Sequence, residues 1–251
     1  MRINLSKKDL DRPIYRIISL ERLLEIFTTN KNTLVKPSFW PDTFENFILK
    51  SKVKLLSGEI VEYNYHERMY GQCWTLHKSS DAMWQIYSPN KECLRIKTTI
   101  ENLLSSIYEV HPDIPEAKCC IGKVEYLTTK DLMQVANSTF DDSGISVENI
   151  FRSLLVKRKA FEHENEVRLL YEEWSDDTSS EIYPYSINPH KLISQIMIDP
   201  RRRCSEFTTL ERIIRKATGF KGPIKRSRLY SLPTSKTVTV TNILGRKEAR
   251  S

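Results

Sequence analysis

Glycine is scarce and unpatterned: the 251-residue chain has seven, and none falls into GxGxxG or GxxxxGK[ST]. Both spacings let backbone N–H groups cradle phosphates, so their absence argues against ordinary kinases, P-loop NTPases and Rossmann dehydrogenases. Cysteine excludes as much. Cys73, Cys93, Cys119, Cys120 and Cys204 are odd in number, with no CxxC and no histidine pair at ligand spacing. Neither disulfides nor zinc is indicated, no metal is expected, and Cys119 and Cys120 read as small core residues. No run of about 18 apolar residues occurs that could cross a bilayer. MRINLSKKDLDRP has no apolar stretch of the kind a secretory signal needs, so we expect a cytoplasmic protein. His77 lies near Ser79, yet no GxSxG precedes them and no third group completes a triad, which argues against a serine hydrolase. Internal repeats, low-complexity tracts and dividing linkers are also missing.

What is present describes a globular protein: 39% hydrophobic and 28% charged residues, long enough to bury a sizeable core. We expect one domain over residues 1–232 and a polar, flexible tail over 233–251. The net charge is +7, and cations gather toward the C-terminus, from Arg201-Arg202-Arg203 to Lys225, Arg226 and Arg228. That density suits contacts with phosphates, and equally a solvated basic face.

The pattern of elements is α+β. Ile14 to Ile18 reads as a strand, and Ser19 caps an amphipathic helix with Leu20, Leu23, Leu24 and Phe27 along one face. Gln72 to Leu76, Glu92 to Lys97, Lys118 to Leu127, Glu181 to Ile187, Ile193 to Ile198 and Ile224 to Leu232 read as further strands. Helices are expected over Ala82 to Tyr87, Thr98 to Val110, Val147 to Ala160 and Glu206 to Thr218, the last stopped by Gly219. Strands outnumber what a bundle allows, and helices do not alternate as in a doubly wound fold. We therefore expect mixed, mostly antiparallel sheets flanked by helices.

Three places carry chemistry. Tyr15 and Arg16 precede the helix start at Ser19, offering a guanidinium and free N–H groups to an anion; the alternative is a surface arginine beside a core tyrosine. Trp74, Trp84 and Tyr87 flank the hydroxyls of Ser79 and Ser80, where aromatics can stack on a flat ring or simply fill the core. The third is KRKAFEHENEVRLLY, residues 157–171. Read as a helix ending near Phe161 and then a half-buried strand, it aims Glu164, Glu166 and Arg168 from one face. Read as a helix throughout, it pairs Glu164 with Arg168 at i,i+4 and is a solvated face. Even on the strand reading, a structural Glu/Arg network competes with a functional site.

In chain order these pieces resemble the bacterial domain-of-unknown-function family 2971. The resemblance rests on Tyr15-Arg16, the proline-rich turn from Pro37 to Glu45, Cys73, Met83-Trp84 with Tyr87, and Val124 with Tyr126. It continues in Lys157, Phe161, Glu164, Glu166 and Arg168, and departs at Glu92 and Phe161, where the family has glycine and tryptophan. A second resemblance, in motif order only, is to ADP-ribosyltransferases, including toxins that modify DNA. It implies an ADP-ribosyltransferase-like fold, NAD as substrate, and transfer to a nucleic acid or protein, or hydrolysis, in bacterial toxin or anti-phage defence. Glu166 would stabilise the cationic ribose and Glu164 would orient or deprotonate the acceptor. Arg16 would hold the diphosphate, and Trp84 or Tyr87 would stack on nicotinamide, with Tyr15, Ser79 and Arg168 completing the cofactor site. An antitoxin or defence partner is implied as well. The alternative is a non-catalytic nucleic-acid or nucleotide-binding module that uses the basic C-terminal third.

Overall fold

The computed structural model describes residues 1–62, 64–113, 115, 118–140, 145–173, 175 and 178–231. The strands are β1 (Arg2–Ile3), β2 (Pro13–Ser19), β3 (Lys31–Val35), β4 (Val53–Lys54), β5 (Ile60–Val61), β6 (Met69–Thr75) and β7 (Cys93–Thr99). They continue with β8 (Cys119–Lys123), β9 (Glu125–Leu127), β10 (Val156–Arg158), β11 (Glu166–Glu172), β12 (Ile182–Ser186), β13 (Gln195–Ile198) and β14 (Ile224–Arg226). The helices are α1 (Leu20–Thr29), α2 (Tyr65–Arg68), α3 (Asp81–Tyr87), α4 (Ile100–Tyr108), α5 (Thr129–Thr139), α6 (Val147–Ser153), α7 (Pro189–Leu192) and α8 (Cys204–Thr218).

One mixed sheet runs in the order β1-β8-β11-β6-β2-β7-β13-β14, with β3 joined to β6 and β12 to β3. Its interior pairings are antiparallel, and only its ends, β1 with β8 and β13 with β14, are parallel. The fold is α+β and mostly antiparallel, as the sequence leads one to expect. Local chemistry sets the helix ends. Ser19 accepts a hydrogen bond from the Arg22 N–H to start α1, and Ser80 accepts one from Met83 to start α3. Asn30 and Gly219, both left-handed, end α1 and α8.

The sheet separates two apolar clusters. Ile14, Leu94, Ile96, Trp74, Val167 and Leu169 face α1, α4 and α8, while Leu170, Cys120, Leu154 and Phe151 pack with α6 on the other side. β11 lies between β6 and β8 and is buried over its whole length. That corrects the half-buried strand of the sequence reading: its charged face is as enclosed as its apolar one.

Other expectations also need correction. The helix expected to Ala160 ends at Ser153; the chain then forms β10 and a 3₁₀ turn, Lys159–Glu164. β10 exists because Val156 to Arg158 pair in parallel with Glu125 to Leu127, a partner 31 residues away that no local periodicity reveals. The strand expected over 118–127 is interrupted at Val124, and α5 forms where the sequence pattern points to no element. The last strand stops at Arg226; Leu232 and the tail lie outside the described residues. Among the described residues, no helix is long and apolar enough to cross a membrane.

Candidate functional site

A buried cluster of charges forms where β11 begins. Asn165 adopts a left-handed conformation (φ 45°) between the 3₁₀ turn and β11, and this single residue turns the Glu164 side chain toward that of Glu166. Lys157, delivered by β10, pairs with Glu45 at 3.0 Å, with Glu166 at 3.4 Å and with Glu164. Arg168 Nε donates to Glu166 Oε2 at 2.8 Å and its Nη1 to the Leu154 carbonyl at 2.8 Å, and Nη2 pairs with Glu45. Trp40 closes the cluster, its ring 4.4 Å from the Arg168 guanidinium carbon. Tyr87 Oη donates to Glu164 Oε1 at 2.8 Å, the Glu166 N–H to Tyr126 Oη at 2.9 Å, and Thr75 Oγ1 to the Glu164 carbonyl at 2.6 Å.

The two glutamates titrate in opposite directions. Burial and the Glu166 charge push the Glu164 carboxyl above its ordinary value, despite Lys157 and Tyr87. Burial also opposes ionisation of Glu166, but Arg168 and Lys157 outweigh it and hold that carboxyl below the ordinary value. One carboxylate is thus fixed in the charged form while its neighbour stands closer to taking a proton.

Beside the cluster the sheet opens. β2 pairs with β7 from Pro13 to Ser19, but meets β6 only where Tyr15 lies opposite Thr75. β6 has turned to β3 by Gly71, which lies opposite Val35. The divergence leaves a cavity of about 170 Å³ lined by Tyr15, Arg16, Ile17, Cys73, Trp74, Thr75, Met83, Tyr87 and Glu166. Burial alone raises the pKa of the Cys73 thiol, and the Glu166 charge raises it further, so it stays protonated. Burial pushes the Arg16 guanidinium down to about 10, and among the described residues it has no ion-pair partner.

The site residues named from the sequence therefore fall into three groups. Tyr15, Arg16, Tyr87 and Glu166 share the cavity, and Glu164 joins them through its bond to Tyr87. Trp84 does not reach it: the ring is 1% exposed, on the side of α3 that packs into the protein, and Trp74 is the tryptophan at the wall. Ser79 is exposed in the loop before α3 and lines no part of the cavity, while Ser80 spends its hydroxyl on capping α3. Arg168 is 0% exposed and saturated by Glu45, Glu166 and Leu154, so it braces Glu166 instead of presenting a free guanidinium.

Two members of the cluster were given no role from the sequence. Glu45 comes from the proline-rich turn 112 residues before Lys157, and Lys157 was expected on a helix. The signal in the sequence is their place in two motifs, the turn from Pro37 to Glu45 and the stretch that opens at Lys157. Among the described residues, no group of three His, Cys, Asp or Glu side chains is placed to hold a metal ion.

Comparison with known families matches residues 83–169 to a family described as "Protein of unknown function (DUF2971)". The resemblance drawn from the sequence holds over this stretch, which carries Tyr87, Lys157, Glu164, Glu166 and Arg168. Comparison with curated proteins finds no match. Among solved structures, Thermus sp. 2.9 DarT in complex with ADP-ribosylated ssDNA is similar at a TM-score of 0.40 and 13% identity, over 91% of this chain and 98% of that one. The complex of that protein with carba-NAD+ gives 0.38 and 14%, over 87% and 96%. Its NAD+ complex gives 0.38 and 14%, over 86% and 96%.

Proposed function

We propose that the chain is an ADP-ribosyltransferase-like enzyme that takes NAD as donor and modifies a nucleic acid or a protein, or passes the ADP-ribosyl group to water. The observation that carries the reading is that Arg16 and Glu166 line one cavity, with Tyr87 bridging to Glu164. In this chemistry the bond between nicotinamide and the ribose carbon breaks, nicotinamide leaves with the electron pair, and an oxocarbenium-like centre forms. Glu166, held ionised by Arg168 and Lys157, stabilises that positive charge where it develops. An acceptor oxygen or nitrogen then bonds to the carbon, and its proton passes to Glu164, whose raised pKa makes it a stronger base than an ordinary carboxylate. Arg16 faces the diphosphate, and Tyr87, with Tyr15 and Trp74 on the walls, flanks the nicotinamide ring.

The reading treats residues 1–232 as one domain with 233–251 as a tail, and places the protein in the cytosol, in bacterial toxin or anti-phage defence under an antitoxin or defence partner. Nicotinamide release from NAD by wild type and Glu166→Gln, with and without DNA, RNA or cell lysate, tests it. Release that collapses in the variant supports the transferase or hydrolase, and dependence on one polymer identifies the acceptor. No release under any condition, with both proteins folded, rejects it.

A second reading has its own observation. Arg203, Lys225, Arg226 and Arg228 are exposed on and around α8 and β14, and among the described residues no carboxylate pairs with them. Such a face suits a non-catalytic module that grips nucleic acid through its phosphates. Salt-dependent binding without NAD turnover would favour it.

A further inference from the structure

Arg95 is a buried cation behind Tyr15, a wall of the cavity, and among the described residues it has no counter-charge. It lies on β7 opposite Ile17 of β2, which places it on the sheet face that carries Tyr15 and Ile17, both cavity walls. Only 4% of it is exposed. The guanidinium sits over the Tyr15 ring, 4.4 Å from its centroid, and Nη1 donates to the Lys78 carbonyl. Nε is buried with no hydrogen-bond partner, and among the described residues no carboxylate pairs with the group. Arg168, just as deep in the protein, is bonded to two glutamates.

The contrast matters because an aromatic face and a neutral carbonyl attract a guanidinium but leave its charge uncompensated. Burial lowers the Arg95 pKa, and the neighbouring Tyr15 hydroxyl only partly opposes this. A buried, forked, unpaired cation one ring from a cavity has the geometry to receive two oxygens of a phosphate. Lys78, whose carbonyl holds the guanidinium, belongs to residues 76–80, the connection from β6 to α3, and α3 brings Met83 and Tyr87 to the same cavity.

We propose that Arg95 is the anion anchor of the cleft, meeting phosphate oxygens of a nucleotide ligand as the Lys78 carbonyl gives way to them. The proposal deepens the NAD reading and rests on it for the identity of the anion. It assigns phosphate recognition to a residue on β7, alongside Arg16 on β2.

The test is calorimetric titration of ADP and of inorganic pyrophosphate into wild type, Arg95→Met and Arg95→Lys, with thermal unfolding of each protein without ligand. Wild type should bind both anions in a salt-sensitive way. Arg95→Met should unfold no earlier than wild type, since it loses an uncompensated charge, and should bind ADP roughly ten- to a hundredfold more weakly. Arg95→Lys should recover part of that loss, because it keeps the charge without the planar fork. Wild type that binds neither anion, or variants with unchanged ADP affinity, would overturn the proposal; should Arg95→Met fail to fold, Arg95→Lys decides on the same criterion. ADP binding through Arg95 without nicotinamide release leaves the anchor standing and removes the transferase reading. Nicotinamide release with ADP affinity unchanged in both variants removes the anchor alone.

Discussion

Tyr87, at the last turn of α3, donates its hydroxyl to Oε1 of Glu164 at 2.8 Å, a bond that spans 77 residues and ties a half-exposed helix to the buried charges at the start of β11. Because Tyr87 is 40% exposed, its removal disturbs packing little. Tyr87→Phe should lower kcat of nicotinamide release about tenfold while costing about 0.5–1.5 kcal/mol of stability. Steady-state kinetics beside urea unfolding separate the two effects; a large loss of stability with kcat intact would contradict the assignment.

Glu166→Gln should lower nicotinamide release on the order of a hundred- to a thousandfold, since it removes the charge aimed at the cationic centre and keeps the shape. Substrate binding, measured as Kd for a non-hydrolysable NAD analogue, should change far less. Equal losses in both would assign Glu166 to binding alone.

Arg168→Met leaves Glu45 and Glu166 buried with Lys157, already paired with Glu164, as the one cation they still share among the described residues. The expected cost is about 3–5 kcal/mol, read as a lower urea midpoint. Replacing Glu45 by Gln in the same chain should return part of the loss, because one of the stranded charges is then gone.

The glutamate pair predicts a two-sided pH profile. Glu166 has a depressed folded pKa, so its contribution is present above its unfolded value, near 4.5, and is lost as pH falls through the folded value. Glu164 has a raised folded pKa, so the folded state holds its proton longer, and stability declines as pH rises from near 4.5 through the folded value. Urea unfolding across this range should show Glu164→Gln without the decline on the alkaline side, and Glu166→Gln without the acid loss. With Glu164 as the base, kcat/KM should rise through the same raised pKa and become flat in Glu164→Gln.

Gly71 makes room for the lid of the cluster. A Cβ there would meet Trp40 Cζ2 at 2.7 Å and Leu170 Cδ2 at 2.9 Å, so Gly71→Ala must displace the ring that covers Arg168. The expected cost is about 1–3 kcal/mol, with a changed Trp fluorescence spectrum as the specific sign.

Much of this arrangement could be read from residue order. The alternation of Glu166, Val167, Arg168 and Leu169 announces β11, and Ser19 announces the start of α1. What stayed hidden depended on distant partners. VENIFRSLLVKRKAF keeps helix-like apolar spacing across Leu154, Leu155 and Val156, so β10 emerges only from its pairing with β9. α5 buries just Leu132 and Thr139, too narrow a face to stand out from a polar loop. Trp84 and Tyr87 are three residues apart with the same aromatic character, and only the packing of α3 decides that one is core and the other faces the cavity. Arg95 has no signature in the sequence, because a lone arginine in a strand carries no pattern.

Glu45, the member of the cluster most distant in sequence, changes its charge count. Lys157 and Arg168 would be balanced by Glu164 and Glu166 alone; the third carboxylate leaves the buried set one positive charge short when all are ionised. A proton on Glu164 can make up that deficit, and so can a cation arriving in the cleft, which makes the two competitors for one vacancy. A cationic ligand should therefore release a proton as it binds, and its affinity should fall in acid even though the ligand itself does not titrate.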